Sequence, residues 1–212
     1  RSSGRWTVRH ALATGAEETL CVDVIVMTTQ SHVAASVCER FDAELGEMLR
    51  GIPYLSTATV ALAYPRSAVA HPLDAVGVII PRDERRRILA ATFISSKSRS
   101  RAPEDMVLMR VFVGGHRDPS RLSASDEELA AVGREELERL LNLRAEPLFT
   151  RVFRYEQANA QPIVGHADHV RRIRQRAERH PGLWFAGAAY EGVGIPDCVR
   201  QANDAASLVL RC

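Results

Sequence analysis

The 212-residue sequence has no long apolar run; stretches such as Val24 to Met27 and Val76 to Ile80 fall far short of the roughly 20 residues that a membrane-spanning helix needs. Its four cysteines, Cys21, Cys38, Cys198 and Cys212, are widely spaced with no CxxC pair. That argues against a zinc knuckle or redox dithiol and for free thiols in a reducing compartment. No charge sign dominates: 28 basic residues stand against 26 acidic ones, a net +2, so nucleic acid is not the expected partner. Lysine is nearly missing, with only Lys97 present, which reads more simply as a codon bias than as a recognition device. What is there, 46% apolar and 25% charged residues, suits one ordinary globular domain or two small lobes sharing a core. The chain opens at Arg1-Ser2-Ser3-Gly4, with neither an initiator methionine nor an apolar signal segment, and reads as the interior or tail of something longer.

Along the chain, alternation from Trp6 to Leu12, a Thr14-Gly15 turn and the apolar run Leu20 to Met27 predict a hairpin whose second strand is interior and covered on both faces. Ser31 is the expected cap of a helix carrying Val33, Val37 and Phe41. From Ile52 to Val113 the texture changes. Thr57 to Ala63, Val76 to Ile80, Ile88 to Phe93 and Val107 to Val113 are short β-prone runs between proline, glycine and charged turns, which predicts a largely antiparallel sheet. Ser125-Asp126-Glu127-Glu128 starts a helix whose stripe is Leu129, Gly133, Leu137, Leu140 and Leu141, and Leu148 to Tyr155 is a further strand. The last quarter returns to an α/β rhythm: a basic helix over 167–180, a strand over 183–186, a glycine turn and a helix over 196–210. The fold class is therefore α/β (α+β), a partial α/β layer built from both chain ends with a mainly antiparallel sheet inserted. The expected divisions are 1–51, 52–165 and 166–212.

The segment LWFAGAAYEGVGIPDCVRQANDAA, residues 183–206, is the most informative. A strand ending in Ala186-Gly187, then Gly192-Val193-Gly194, then Pro196 at a first-turn position, brings bare backbone to a helix N-terminus. Free first-turn N–H groups there suit a diphosphate oxygen or the pyrimidine edge of a flavin. Ala202, Ala205 and Ala206 are expected to let the helix lie close to a neighbouring strand. The competing reading is a tight strand-to-helix turn that needs glycine for geometry alone.

AGAAYEGVGIPDCV is similar to the C-terminal flavin-binding signature of the protoporphyrinogen oxidase family, within the amine-oxidase-like flavoprotein superfamily. Further blocks resemble that family in the same order: Ile52-Pro53-Tyr54 with 57–63, His71-Pro72-Leu73-Asp74 with 77–81, 88–96, 110–117 and 161–166. The resemblance implies FAD as cofactor, with Val193, Gly194, Ile195, Gly187 and Tyr155 near it, Tyr155 standing where many members have tryptophan. It implies a tetrapyrrole pocket lined by Val76, Gly77, Ile79 and Phe112, Val76 replacing an aromatic. Gln30 and Ala160 replace frequent prolines. The implied activity is oxidation of protoporphyrinogen to protoporphyrin with O₂ as acceptor, or the sibling reaction on coproporphyrinogen. A superfamily oxidase of amines or carotenoid precursors fits the pocket blocks less well.

The family's GxGxxG fingerprint, which binds the AMP half of FAD, does not occur in this sequence. Its propionate-anchoring arginine and membrane-associating region also lie N-terminal to the matched blocks. The chain is accordingly read as the C-terminal part of an enzyme. Its implied partners are a porphyrinogen, the missing N-terminal half and a second copy in a homodimer. Its placement is cytoplasmic, or peripheral on the inner membrane face through the absent region. A non-catalytic half-chain without bound FAD is the reading from a different class.

No residue stands out as a catalytic base. His166 and His169 form an HxxH pair without a third ligand, so no metal is expected and a backbone-bonded pair is the simpler reading. Tyr190 and Glu191 flank the turn, and Asp197 complements the helix dipole. The arginine-rich stretches 82–87 and 171–179 read as solvated faces first and as sites for anionic lipid headgroups second.

Overall fold

A computed structural model of the chain describes residues 6–210. Arg1 to Gly4 and Cys212, named above, lie outside the described residues. The chain forms two compact units, Arg1–Tyr54 with Ala160–Cys212 and Leu55–Asn159. In chain order the elements are β1 (Trp6–Ala11), β2 (Glu17–Val22), β3 (Ile25–Met27), α1 (Ser31–Cys38), α2 (Ala43–Arg50), β4 (Tyr54–Pro65), β5 (Gly77–Ile79), β6 (Ala90–Phe93), the short α3 (Ile94–Lys97) and β7 (Met106–Gly114). There follow α4 (Asp126–Leu141), β8 (Phe149–Ala160), α5 (His166–Ala177), β9 (Leu183–Phe185) and α6 (Ile195–Val209).

In the unit built from the chain ends, β1 and β2 pair as an antiparallel hairpin, Trp6 facing Val22, and β3 pairs in parallel with β9, Ile25 facing Leu183. The expected single interior strand over Leu20 to Met27 is thus two strands in two sheets. The break falls at Asp23-Val24, Leu20 and Val26 are exposed, and the Ile25 N–H donates to the Gly182 carbonyl at 2.7 Å. Ser31 is not a cap either. The N-cap is Gln30, with no side-chain bond; Ser31 is wholly buried and its N–H donates to the Tyr54 hydroxyl at 2.9 Å. The helix therefore turns Ala34, Ala35 and Cys38 inward and leaves Val33, Val37 and Phe41 exposed, opposite to the expected face. The core gathers Leu45 and Leu49 of α2, Val170 and Ile173 of α5, and Leu183 and Phe185 of β9.

A buried carboxylate ties this unit together. Asp42 caps α2 by accepting from the Leu45 N–H at 3.0 Å, and it accepts Arg176 Nε at 2.8 Å and Nη2 at 3.0 Å, a bidentate pair, with His180 Nε2 at 2.6 Å. The Arg176 hydrogen bonds, with those of His180 and Leu45, hold its carboxyl well below the usual carboxylate range despite burial. Nearby, burial and the Asp42 charge push the Cys38 thiol up to about 12, which makes it an unreactive thiol. Cys21 and Cys198 are also free.

In the other unit the predicted antiparallel sheet forms in the order β5-β6-β7-β4-β8. β7 alternates strictly, with Val107, Met109, Val111 and Val113 buried, and β4 sets Ala58, Val60 and Leu62 on the same core. α4 covers that face, and its Gly133 lies so close that a Cβ would meet Val111, Leu62 and Val60 at 3.2–3.3 Å. The helix begins in the expected capping box: Ser125 Oγ accepts from the Glu128 N–H and Glu128 returns the bond to the Ser125 N–H, a device worth about 1 kcal/mol. Its inward stripe includes a residue not expected there, Glu136, which is fully buried and holds Arg86 Nε at 2.7 Å. The opposite sheet face carries Ile79, Ala90 and Phe112 side by side, because Ile79 and Phe112 both pair with Ala90.

Candidate functional site: the start of the last helix and the open face of the sheet

After β9 the chain passes through Ala186-Gly187, turns at Gly192 and enters α6 with Gly194 as N-cap and Pro196 in the first turn. The three glycines have different reasons for being glycine. Gly187 has φ +134°, which L side chains rarely adopt, although a Cβ would meet only the Thr28 carbonyl oxygen at 3.8 Å. Gly192 has φ +121° and a Cβ there would sit 2.5 Å from the Asp197 carboxylate. Gly194 lies in ordinary extended backbone, φ −75° and ψ 150°, and a Cβ would meet just Asp197 Oδ2 at 3.2 Å and Pro196 Cδ at 3.6 Å. Folding thus requires glycine at 187 and 192, while at 194 nothing in the chain's own backbone or core does.

Around Gly194 the surface is apolar and open. Val193, Ile195 and Val199 are 59%, 81% and 54% exposed. The first-turn N–H groups of Ile195 and Asp197 have no acceptor within the helix, Pro196 has none to offer, and the first helical bond runs from the Cys198 N–H to the Gly194 carbonyl at 3.0 Å. Asp197 lies over the turn and pairs at 3.7 Å with Arg200, and Glu191 pairs with Arg174 at 2.8 Å and Arg200 at 3.4 Å. Carboxylates at this helix start weigh against a diphosphate there and favour the uncharged carbonyl edge of a ring that accepts hydrogen bonds. Gln201 adds an orphaned donor: it is buried, its Oε1 accepts from the Gly187 N–H at 3.2 Å and its Nε2 has no partner. Bare backbone, free amides and exposed apolar side chains fit the edge of a flavin ring.

Gln201 was missed by sequence reasoning. It stands one turn before Ala205 on the buried face of α6, where a polar residue between small ones was the available signal. Of the three alanines expected on that face only Ala205 is buried, while Ala202 and Ala206 are exposed. Tyr190 is buried, with its hydroxyl pK raised by burial, and its ring lies 5.6 Å from that of Phe185. It therefore belongs to the core. The histidine pair is bonded to backbone, His166 Nε2 to the Tyr190 carbonyl at 3.1 Å and His169 Nε2 to the Met48 carbonyl at 2.7 Å. No group of metal-binding side chains occurs among the described residues.

The other site residues lie in the sheet unit. Ile79 is 81% and Val76 64% exposed; Phe112, half-buried, shares the open face with Ile79 across Ala90. Gly77 has φ +155°, and a Cβ would fall 2.3 Å from the Ala91 carbonyl oxygen, so strand pairing alone demands glycine there. Tyr155 lies on β8, 43% exposed, beyond Phe149 and Phe153 on the same side of the strand. The structure thus gathers Gly187, Val193, Gly194 and Ile195 in one unit, and Val76, Gly77, Ile79, Phe112 and Tyr155 in the other.

No helix among the described residues is long and apolar enough to cross a membrane. The sequence profile of the flavin containing amine oxidoreductases matches residues 4–210. Coproporphyrinogen III oxidase of Bacillus subtilis (strain 168) is 33% identical over 190 residues, 89% of this chain and 40% of its own length. Chloroplastic protoporphyrinogen oxidase of Oryza sativa subsp. japonica is 29% identical over 195 residues, 87% of this chain and 36% of its own length. A crystal structure of a candidate protoporphyrinogen oxidase from Exiguobacterium sp. 255-15 superposes with a TM-score of 0.80 at 30% identity, covering 100% of this chain and 45% of that one. The chain therefore spans less than half the length of each of these relatives. With a family profile matched almost from end to end, and a mixed helix-and-sheet fold shared with that crystal structure, the chain belongs to the flavin-containing amine oxidoreductase family.

Proposed function

We propose that this chain is the C-terminal portion of an FAD-dependent porphyrinogen oxidase of porphyrin and haem biosynthesis, with O₂ as the final acceptor. The single observation that carries the reading is the bare, apolar start of α6, where Gly194 is glycine without any folding need for it. A bound flavin would supply the hydride acceptor that the side chains lack. The residues of this chain have positioning roles. The amides of Ile195 and Asp197 hold the ring edge, Val193 and Ile195 exclude water beside it, and Gln201 fixes the backbone at Gly187. In the sheet unit Ile79, Val76 and Phe112 offer the apolar wall for the macrocycle, and Tyr155 is a further aromatic contact.

Of the two porphyrinogens, the coproporphyrinogen reading is favoured by the 33% identity to the Bacillus subtilis enzyme, against 29% to the rice protoporphyrinogen enzyme. The AMP half of FAD is bound, in this proposal, by polypeptide carrying a GxGxxG fingerprint, which this sequence does not contain. The test is porphyrin fluorescence under air with FAD and either porphyrinogen, using the chain alone and co-expressed with the N-terminal portion of the Bacillus subtilis enzyme. Emission that grows only in the complemented sample, faster with coproporphyrinogen, is the expected result. Flavin retained by the complemented protein with neither porphyrinogen oxidised would contradict the assignment.

A further inference from the structure

At one end of the sheet, between the β5–β6 connection and the segment after β7, lies a cleft of about 480 Å³. Six arginines line it, Arg82, Arg85, Arg86, Arg87, Arg117 and Arg121, together with His116, and Asp118 is its only acidic lining residue. Three of the arginines are held by carboxylates: Arg86 by the buried Glu136, Arg87 by Glu135, and Arg121 by Asp118. Arg117 donates to the Ile80 carbonyl, which neutralises nothing. Arg82 and Arg85 have no ion-pair partner among the described residues, and Asp83 and Glu84 beside them do not line the cleft. Arg85 moreover sits at φ +47°, a left-handed conformation unusual for a residue with a side chain. The cleft thus presents three guanidinium groups uncompensated by carboxylates.

Its position relates it to the proposed macrocycle wall. Ile79 and Phe112 flank Ala90 on the open face, and the residue just before β6 is Leu89, whose carbonyl accepts from the Ile80 N–H at 2.9 Å and whose N–H donates to the Phe112 carbonyl at 2.7 Å. Leu89 and Gly114 line the cleft. Leu89 therefore joins the end of the apolar strip to the rim of the cleft. A concave, bounded cluster of guanidinium groups suits discrete carboxylates more than a flat bilayer surface.

We infer that this cleft anchors carboxylate arms of the substrate and so selects the more acidic porphyrinogen, an inference that rests on the porphyrinogen reading above. Coproporphyrinogen carries a propionate on every pyrrole ring, whereas protoporphyrinogen has vinyls in place of half of them. Arg82 and Arg85 receive the additional propionates by charge-assisted hydrogen bonds, Arg117 lends a third cation, and the arginines tied to Glu135, Glu136 and Asp118 keep the cleft in shape.

The test titrates the chain, co-expressed with the N-terminal portion of the Bacillus subtilis enzyme as above, with coproporphyrin III and with protoporphyrin IX, following porphyrin emission. The forms compared are wild type, an Arg82→Gln/Arg85→Gly double variant, an Arg99→Gln/Arg101→Gln charge control and Ile79→Asp. Glycine at 85 keeps the left-handed backbone, and a thermal melt verifies folding. Loss of both cleft guanidinium groups is expected to weaken coproporphyrin III binding about tenfold or more, with a smaller change for protoporphyrin IX and none for the charge control. Equal affinities for double variant and charge control would overturn the inference. If Ile79→Asp weakens both porphyrins while the double variant changes neither, the porphyrinogen reading stands and the cleft assignment falls. If no form binds either porphyrin, the porphyrinogen reading fails and takes the cleft assignment with it. Inorganic phosphate competing as well as coproporphyrin III would make the cleft a general anion site, and arginine-dependent binding to phosphatidylglycerol vesicles with unchanged porphyrin affinity would make it a headgroup site. Either result refutes a substrate anchor.

Discussion

Gly77 at the start of β5 and Gly194 before α6 are both glycines at proposed ligand-facing positions, and their surroundings are opposite. At Gly77 the backbone is at φ +155° and a side chain would strike the carbonyl oxygen of Ala91 at 2.3 Å. At Gly194 the backbone is ordinary and a side chain would meet only its own helix's Asp197 and Pro196, beyond 3 Å. One glycine answers to the sheet, while the other leaves backbone bare with no structural return. A glycine thus becomes evidence for a ligand only after its dihedral angles and its neighbours have been shown not to require it.

The comparison can be pressed by substitution, beginning where the protein's own atoms are most demanding. In the chain-end unit that place is Asp42, buried against Arg176 and His180; Asp42→Ala uncaps α2 and leaves Arg176 with only the exposed Glu44 as ion partner, and should cost about 3 kcal/mol in chemical denaturation. The same carboxyl gives a pH signature. Because its folded-state pK lies below its unfolded value, the stability it contributes is present above roughly pH 4 and is lost as pH falls further. Melting measured from neutral to acid pH should show that decline in the wild type and a flatter profile in Asp42→Asn. Next in size, Gly77→Val should cost about 3 kcal/mol, since β5 must separate from β6 to admit the side chain. A melt unchanged by Gly77→Val would erase the contrast between the two glycines.

Much of this architecture was legible from residue patterns, where the determinants are local. The capping box of Ser125 and Glu128, the alternation along β7 and the glycine–proline entry to α6 all fell where expected, because each depends on neighbours within a turn or on a strand's two-residue period. The expectations that failed depended on distant chain. Ser31 looks like a cap, yet the Tyr54 hydroxyl accepts its N–H and the helix rotates to bury alanines. Glu136 has no place in the expected apolar stripe, and what lets it be buried is Arg86, fifty residues earlier, bonded to it. In the arginine run 82–87 the expected solvated face holds for Arg82 to Arg85, which are exposed, while Arg86 and Arg87 are drawn in by Glu136 and Glu135, remote in sequence. Gly194 and its flanking valine and isoleucine were legible as a motif, whereas the orphaned amide of Gln201 was not.

The smallest structural effect and the most direct test coincide at Gly194. In this chain co-expressed with the N-terminal portion of the Bacillus subtilis relative, Gly194→Val should leave the melting of the flavin-free protein within about 0.5 kcal/mol of wild type, as for an exposed site, while FAD titration shows strongly reduced occupancy. Full flavin occupancy in Gly194→Val, with unchanged affinity, would contradict the claim that this bare backbone receives the ring.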